Sequence, residues 1–180
     1  ERLTYEEIER FVRVAAGLGI RKIRLTGGEP LVRKGVCHFV EMLSGMWCDF
    51  VVSMPTNGIL LDQYAEALKF AGLRRLNISL DTLDREKFRQ ITRHDELPRV
   101  LEGIAAARRA GFEQTKLNAL AIRGLSEDDV VPLARFAREN CLELRFIEFM
   151  PVDGDRKWTG DRVLFGKEIL ELLSGYFNII

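Results

Sequence analysis

Ile23-Arg24-Leu25-Thr26-Gly27-Gly28-Glu29-Pro30 is the stretch on which the reading of this chain turns. It begins as an alternating strand, with Ile23 and Leu25 on one face and Arg24 and Thr26 on the other. It then breaks at two glycines, an acid and a proline. Without a Cβ, Gly27 and Gly28 let the backbone turn sharply and come close to a ligand. Pro30 disfavours helix at Glu29, which keeps the loop open before the next helix. A strand that ends in exposed backbone, with a cation one step below, is a site in the making.

Outward from this stretch, helices and strands alternate. Thr4 and Glu7 predict a capping box, followed by Ile8, Phe11, Val12 and Ala15 at helical spacing. A strand over 21–26 is followed by a helix at about 34–46 and a strand over 50–54 ending in the turn Pro55-Thr56-Asn57-Gly58. Asp62 is read as the cap of the next helix and Asp84 as the cap of a later one; Ser126 with Asp129 reads as a further capping box. Strands are expected over 74–80, 115–122 and 142–149, and a last helix near 166–174. A phrase of helix end, glycine, apolar residue and strand recurs at Gly19-Ile20, Gly72-Leu73 and Gly111-Phe112. Repeated βα units of this kind make a parallel sheet with right-handed crossovers.

Strand polarity separates the two parallel architectures. A doubly wound sheet is buried on both faces, so its strands are apolar throughout. Here Arg24 and Thr26 share a face, as do Asn77, Ser79 and Asp81, and Lys116 and Asn118, while Ile23, Leu25, Leu76, Ile78, Leu80 and Leu117 alternate with them. A polar inner face implies a wet lumen; a closed eight-stranded barrel would fill it with Val, Ile and Leu. The expected fold is therefore α/β, an open and partial (βα) barrel. Its site would lie at the strand C-termini, with Arg24, Ser79, Lys116 and Asn118 facing a common lumen. Arg145 and Glu148, three apart, face opposite ways in a regular strand unless a bulge intervenes.

Composition narrows the function classes. With 180 residues, 47% hydrophobic and 30% charged, the chain can bury the core of one soluble domain. Lys+Arg and Asp+Glu both number 27, which argues against nucleic acid or a membrane surface as a partner but not against a local anion site. No apolar run reaches the roughly 18 residues of a membrane span, and a cytoplasmic location is expected. Cys37, Cys48 and Cys141 are too scattered for a disulfide framework or metal motif; the expectation for metal ligands is none, and Cys37 and Cys48 read as small buried fillers. Trp47 and Trp158 read as packing residues. Asp81 reads as the cap of its turn and Glu29 as an organiser of its loop. Both ends read as cut, which suggests a piece of a longer protein.

The motifs Thr-Gly-Gly-Glu-Pro (26–30), Thr-Asn-Gly (56–58), Asn-Ile-Ser-Leu-Asp (77–81), Lys-Leu-Asn (116–118) and Arg-Phe-Ile-Glu-Phe-Met-Pro (145–151) occur in this order. Together they resemble the radical S-adenosylmethionine GTP cyclase family of molybdenum-cofactor biosynthesis, over about Thr4 to Pro151. The resemblance implies a partial (βα)6 barrel at 1–152, lacking its first strand and cluster loop, with 153–180 starting a C-terminal extension. It implies that Gly27, Gly28 and Glu29 hold S-adenosylmethionine together with Ser79 and Met150, and that Arg24, Thr56, Lys116 and Arg145 bind GTP. It names no catalytic residue. It also implies [4Fe–4S] clusters, but the family's Cys-x-x-x-Cys-x-x-Cys motif and its C-terminal three-cysteine site are absent, so this chain alone is expected to be inactive. A homodimeric parent is a further expectation. Pro55 stands where the family has a GTP-contacting threonine, which removes a hydroxyl and an N–H. The alternatives are another radical S-adenosylmethionine enzyme modifying a peptide or cofactor, and a binding domain without a cluster.

Overall fold

A computed structural model of the chain describes residues 3–47, 49–151 and 158–178. The helices are α1 (Tyr5–Gly17), α2 (Val36–Ser44), α3 (Leu61–Phe70), α4 (Arg85–Thr92), α5 (Leu97–Arg109), α6 (Glu127–Glu139) and α7 (Gly166–Ser174). The strands are β1 (Lys22–Arg24), β2 (Val51–Thr56), β3 (Arg75–Ser79), β4 (Thr115–Ala121) and β5 (Glu143–Glu148). They form one sheet in the order β1-β2-β3-β4-β5, with β1–β2, β2–β3 and β4–β5 parallel. Sequential order means that every crossover steps the same way. A doubly wound sheet reverses at a switch point; this one does not. This is the winding of a (βα) barrel, as the polarity argument requires.

The chain divides into two compact units, one of residues 1–78 with 99–115, the other of 79–98 with 116–180. In the first unit, Val52, Met54, Leu76 and Ile78 are fully buried on one face of β2 and β3. Arg24, Ser53 and Arg75 are in register with one another on the opposite face. In the second unit, Leu117, Ala119 and Ala121 are buried on β4, and Ala121 joins Val130, Leu164 and Ile169 in a cluster lined by Phe146 and Leu173. The expected boundary at 152–153 falls outside the described residues, as does Cys48.

The structure corrects several local expectations, each for a physical reason. Strand β1 is shorter than 21–26 and β2 is longer than 50–54. The Val51 N–H donates to the Arg21 carbonyl and the Leu25 N–H to the Ser53 carbonyl, so the odd residues of β2 face β1. Pro55 is next in that phase and has no N–H, which ends the ladder toward β1. The even residues face β3, where the Arg74 N–H donates to the Val52 carbonyl at 3.0 Å, and β2 runs on to Thr56.

The caps divide similarly. Thr4 and Glu7 form their capping box, and Asp84 accepts from the Lys87 N–H. Asp62 is not a cap; it lies in the first turn of α3 after Leu60, where its charge favours the helix dipole. Ser126 precedes α6, but its hydroxyl accepts from the Ile122 N–H and donates to the Leu120 carbonyl, tying the end of β4 to the helix. Its expected partner Asp129 is buried and otherwise engaged. Helix α1 buries Val12 and Ala16, whereas Phe11, expected on the same stripe, is 71% exposed. Trp47 is also exposed rather than packed, and Cys37 is half-buried rather than a core filler.

Candidate active site

The loop after β1 is fastened to the loop after β2 by one side chain. Glu29 caps the short 3-10 turn Pro30–Val32 by accepting from the Leu31 N–H at 3.1 Å. Its Oε1 also accepts from the Thr56 hydroxyl at 2.9 Å, and its Oε2 from the Asn57 N–H at 2.7 Å. The Thr56 hydroxyl in turn accepts from the Gly58 N–H, and the Asn57 side chain from the Ile59 N–H. The expected role of Glu29 as an organiser is therefore visible, and it reaches further than its own loop. Thr56 is 3% exposed, and its hydroxyl is spent inside this network.

The glycines of these loops differ. Gly58 has φ +78°, and a Cβ there would meet Ile78 and Val100. Gly103 of α5 lies against the same loop, and a Cβ there would be 2.4 Å from the Gly58 carbonyl oxygen. Sequence reading missed Gly103, whose only signal was a glycine inside a helical pattern. Gly27 and Gly28 have neither a left-handed φ nor any atom within 4 Å of an added Cβ, and both are exposed. Nothing in the folded chain requires glycine at these two positions. Arg24 is exposed on the face away from the buried residues of β2, without an ion pair among the described residues.

In the second unit, Ser79 is exposed at the end of β3. Past it the ladder continues irregularly. The Leu80 N–H donates to the Asn118 carbonyl, and the Asp81 carboxylate accepts from the Leu120 N–H at 2.7 Å. Asp81 thus replaces a backbone acceptor of the sheet and does not cap its own turn. Burial pushes its carboxyl above the usual aspartate range; the Leu120 N–H opposes that, and the charge of Asp129 adds to it.

Asp129, in α6, accepts from the buried Thr82 hydroxyl at 2.5 Å and from Lys87 Nζ at 2.9 Å. The ammonium of Lys87 is held above its usual range chiefly by that hydrogen bond. This network ties the segment after β3 to α6. It was invisible in the sequence because Thr82 lies 47 residues from Asp129.

Lys116 and Asn118 of β4 lie in register with Glu143 and Arg145 of β5, so all four share a face. Glu143 binds both cations: Lys116 Nζ at 2.9 Å and Arg145 Nε at 2.8 Å from its Oε1. Those bonds, from Lys116 first and Arg145 second, hold its carboxyl below the usual glutamate range. The question of Arg145 and Glu148 resolves without a bulge: β5 is regular, and Glu148 is on the other face, accepting from the Gly166 N–H at the start of α7. Met150 is 51% exposed just beyond β5.

The radical SAM superfamily profile matches residues 1–137. A GTP 3′,8-cyclase of Rhodopirellula baltica is 53% identical over 181 residues, covering 98% of this chain and 49% of that protein. A GTP 3′,8-cyclase of Moorella thermoacetica is 50% identical over 177 residues, covering 98% and 54%. The chain therefore spans about half the length of the curated relatives it matches. Among solved structures, a radical SAM methyltransferase from Sphaerobacter thermophilus aligns with a TM-score of 0.71 at 20% identity, covering 96% of this chain and 54% of that one. A methylornithine synthase aligns at 0.69 and 18%, covering 97% and 54%. At those identities the likeness is one of fold.

The superfamily's chemistry uses S-adenosylmethionine and a [4Fe–4S] cluster. The open space beside Gly27 and Gly28 fits a cofactor lying against their backbone. The described residues do not fit a cluster. None of their His, Cys, Asp and Glu side chains gather in threes able to hold a metal, and Cys37 and Cys141 belong to different units. Among the described residues, no helix is long and apolar enough to cross a membrane.

Proposed function

The chain belongs to the radical SAM superfamily, and from that premise we propose that it carries part of a GTP 3′,8-cyclase, binding S-adenosylmethionine and GTP. The carrying observation is the pair of cations on one face of β4 and β5. Lys116 and Arg145 share a single carboxylate there, the arrangement an ammonium and a guanidinium need to take one phosphate group together. Arg24, exposed on the open face of β1, is a further substrate-binding residue in this reading.

The cofactor residues are Gly27, Gly28, Glu29, Ser79 and Met150. When bound, S-adenosylmethionine supplies the 5′ carbon at which this superfamily's radical chemistry begins. The backbone of Gly27 and Gly28 receives the cofactor's polar end, and Glu29 fixes that backbone by holding the loop to Asn57 and Thr56. Thr56 serves the substrate through the loop 56–58 that it stiffens, since its hydroxyl is engaged. Ser79 offers an exposed hydroxyl and Met150 an exposed thioether to the cofactor. GTP is the small-molecule partner, in the cytoplasm, with neither nucleic acid nor membrane as a partner, in keeping with the balanced charge.

GTP binding to the 180-residue chain tests this reading. Lys116→Ala and Arg145→Ala should each weaken GTP by about tenfold or more, while guanosine, which lacks phosphates, should bind poorly to every form. Equal GTP affinity in all three proteins would refute it. The chain alone should not cleave the cofactor: after anaerobic treatment with iron and sulfide it should give no 5′-deoxyadenosine, because three thiolates are needed to hold the cluster. Sustained turnover would overturn that expectation.

A further inference from the structure

Glu143 stands between the two cations that the proposed function gives to the substrate. Its Oε1 accepts from Lys116 Nζ at 2.9 Å and Arg145 Nε at 2.8 Å and lies 2.7 Å from Arg145 Nη2, and its Oε2 lies 2.9 Å from Lys116 Nζ. One oxygen held by an ammonium and a guanidinium together is what a non-bridging phosphate oxygen takes. The Lys116 side chain is only 17% exposed, so it is fixed and partly desolvated; those of Glu143 and Arg145, at 54% and 49%, have room to turn. Two cations and one carboxylate leave this face one net positive charge. Without the carboxylate, the ammonium and the guanidinium would face each other as like charges in the ligand-free protein.

We propose that the Glu143 carboxylate is an internal stand-in for a substrate phosphate, gathering Lys116 and Arg145 in the free protein and giving them up when the phosphate arrives. The inference rests on the reading of Lys116 and Arg145 as substrate-binding residues. The carboxylate has to yield, since a phosphate on the same donors would bring two anions within a few ångströms of each other. Because Glu143 is more exposed than Lys116, it is the group that turns out to water, while the ammonium stays. Binding is then an exchange of one anion for another. Its net gain is smaller than that of a phosphate meeting two unpaired cations, and release of the bound anion is correspondingly easier. Neutral ligands cannot drive the exchange.

The test is equilibrium binding of inorganic triphosphate to the 180-residue chain at one fixed, low ionic strength. Glu143→Gln should bind it about tenfold more tightly than the wild type, because no carboxylate has to be displaced. Glu143→Asp, which keeps the charge, should stay near the wild type. Should Glu143→Gln fail to fold, Glu143→Ala is expected to shift the affinity in the same direction. Lys116→Ala and Arg145→Ala should weaken binding by about tenfold or more. A Glu143→Gln protein with equal or weaker affinity overturns the stand-in: the carboxylate would then only position the cations. The two failures are distinguishable. If Lys116→Ala and Arg145→Ala bind triphosphate as the wild type does, the substrate reading of these cations falls and the stand-in falls with it. If both weaken binding while Glu143→Gln does not tighten it, only the stand-in falls.

Discussion

Two pairs of glycines in the first unit serve opposite ends. At Gly58 and Gly103 the folded chain itself demands glycine: one has a left-handed φ with side chains pressed against it, the other a carbonyl oxygen where a Cβ would go. At Gly27 and Gly28 the folded chain demands nothing. The first pair lets α5 close onto the loop 57–60; the second leaves backbone bare beside open space. Glycines that packing explains are part of the fold, and glycines that packing leaves unexplained point to something that approaches from outside.

The sharpest way to break this contrast is Gly103→Ala. Placing a Cβ at 2.4 Å from the Gly58 carbonyl oxygen and 3.1 Å from Leu61 Cβ forces α5 and the loop apart. The helical gain of about 1 kcal/mol from replacing glycine does not offset this, and overpacking of this kind costs about 2–3 kcal/mol. Urea denaturation should show the loss as a lower midpoint. An unchanged midpoint would mean that this close approach is not obligatory.

Glu29→Gln probes the fastening between the loops. The carboxylate accepts from Leu31, Thr56 and Asn57, and an amide must turn its NH2 toward at least one of these donors. The expected cost is about 2 kcal/mol of stability, the size of a lost hydrogen bond to a charged group, together with weaker cofactor binding. If stability holds while cofactor affinity falls, Glu29 touches the ligand directly and does not act through the loop.

Gly27→Ala with Gly28→Ala is the complementary change. Stability should stay within about 0.5 kcal/mol, as at an open surface position. S-adenosylmethionine affinity should fall by about tenfold, or about 1.4 kcal/mol, because two methyl groups occupy the space the cofactor needs. Thermal melts beside equilibrium binding separate the two readouts. Unchanged affinity would make these glycines ordinary loop residues.

How much of this the sequence revealed depended on the range of the interaction. Strand alternation at 23–26, 77–81 and 116–118 gave the polar face and the winding, because a period of two survives in any context. The capping box of Thr4 with Glu7 was legible, being complete within four residues. Ser126 with Asp129 has the same spacing and misled, since Asp129 finds buried partners at Thr82 and Lys87 that no local pattern announces. Pro55 was read as a turn signal, yet its missing N–H stops only the ladder toward β1, and β2 runs on to Thr56 beside β3. Lys116 and Arg145 were found as single cations. The carboxylate that joins them was not, because cross-strand register appears only in the fold.

In the second unit Asp81, like Glu29 in the first, uses a carboxylate to hold a backbone N–H of a neighbouring segment. Unfolded, Asp81 titrates near the ordinary aspartate value of 3.8; folded, burial holds its proton to higher pH, with the Leu120 N–H opposing and Asp129 reinforcing. The folded state therefore binds more protons than the unfolded state across that interval. The contribution of this group is fully present below the unfolded value and is lost as pH rises through the folded value. Asp81→Asn keeps an oxygen for the Leu120 N–H and removes the ionisation. Denaturation at about pH 4 and about pH 7 should show the wild type losing stability relative to Asp81→Asn as pH rises, the smallest effect of the four. A variant that is less stable than the wild type by the same amount at both values would show that the charged carboxylate is the better acceptor. Asp81 would then resemble Glu29 in needing its charge, and burial would not be the dominant influence on it.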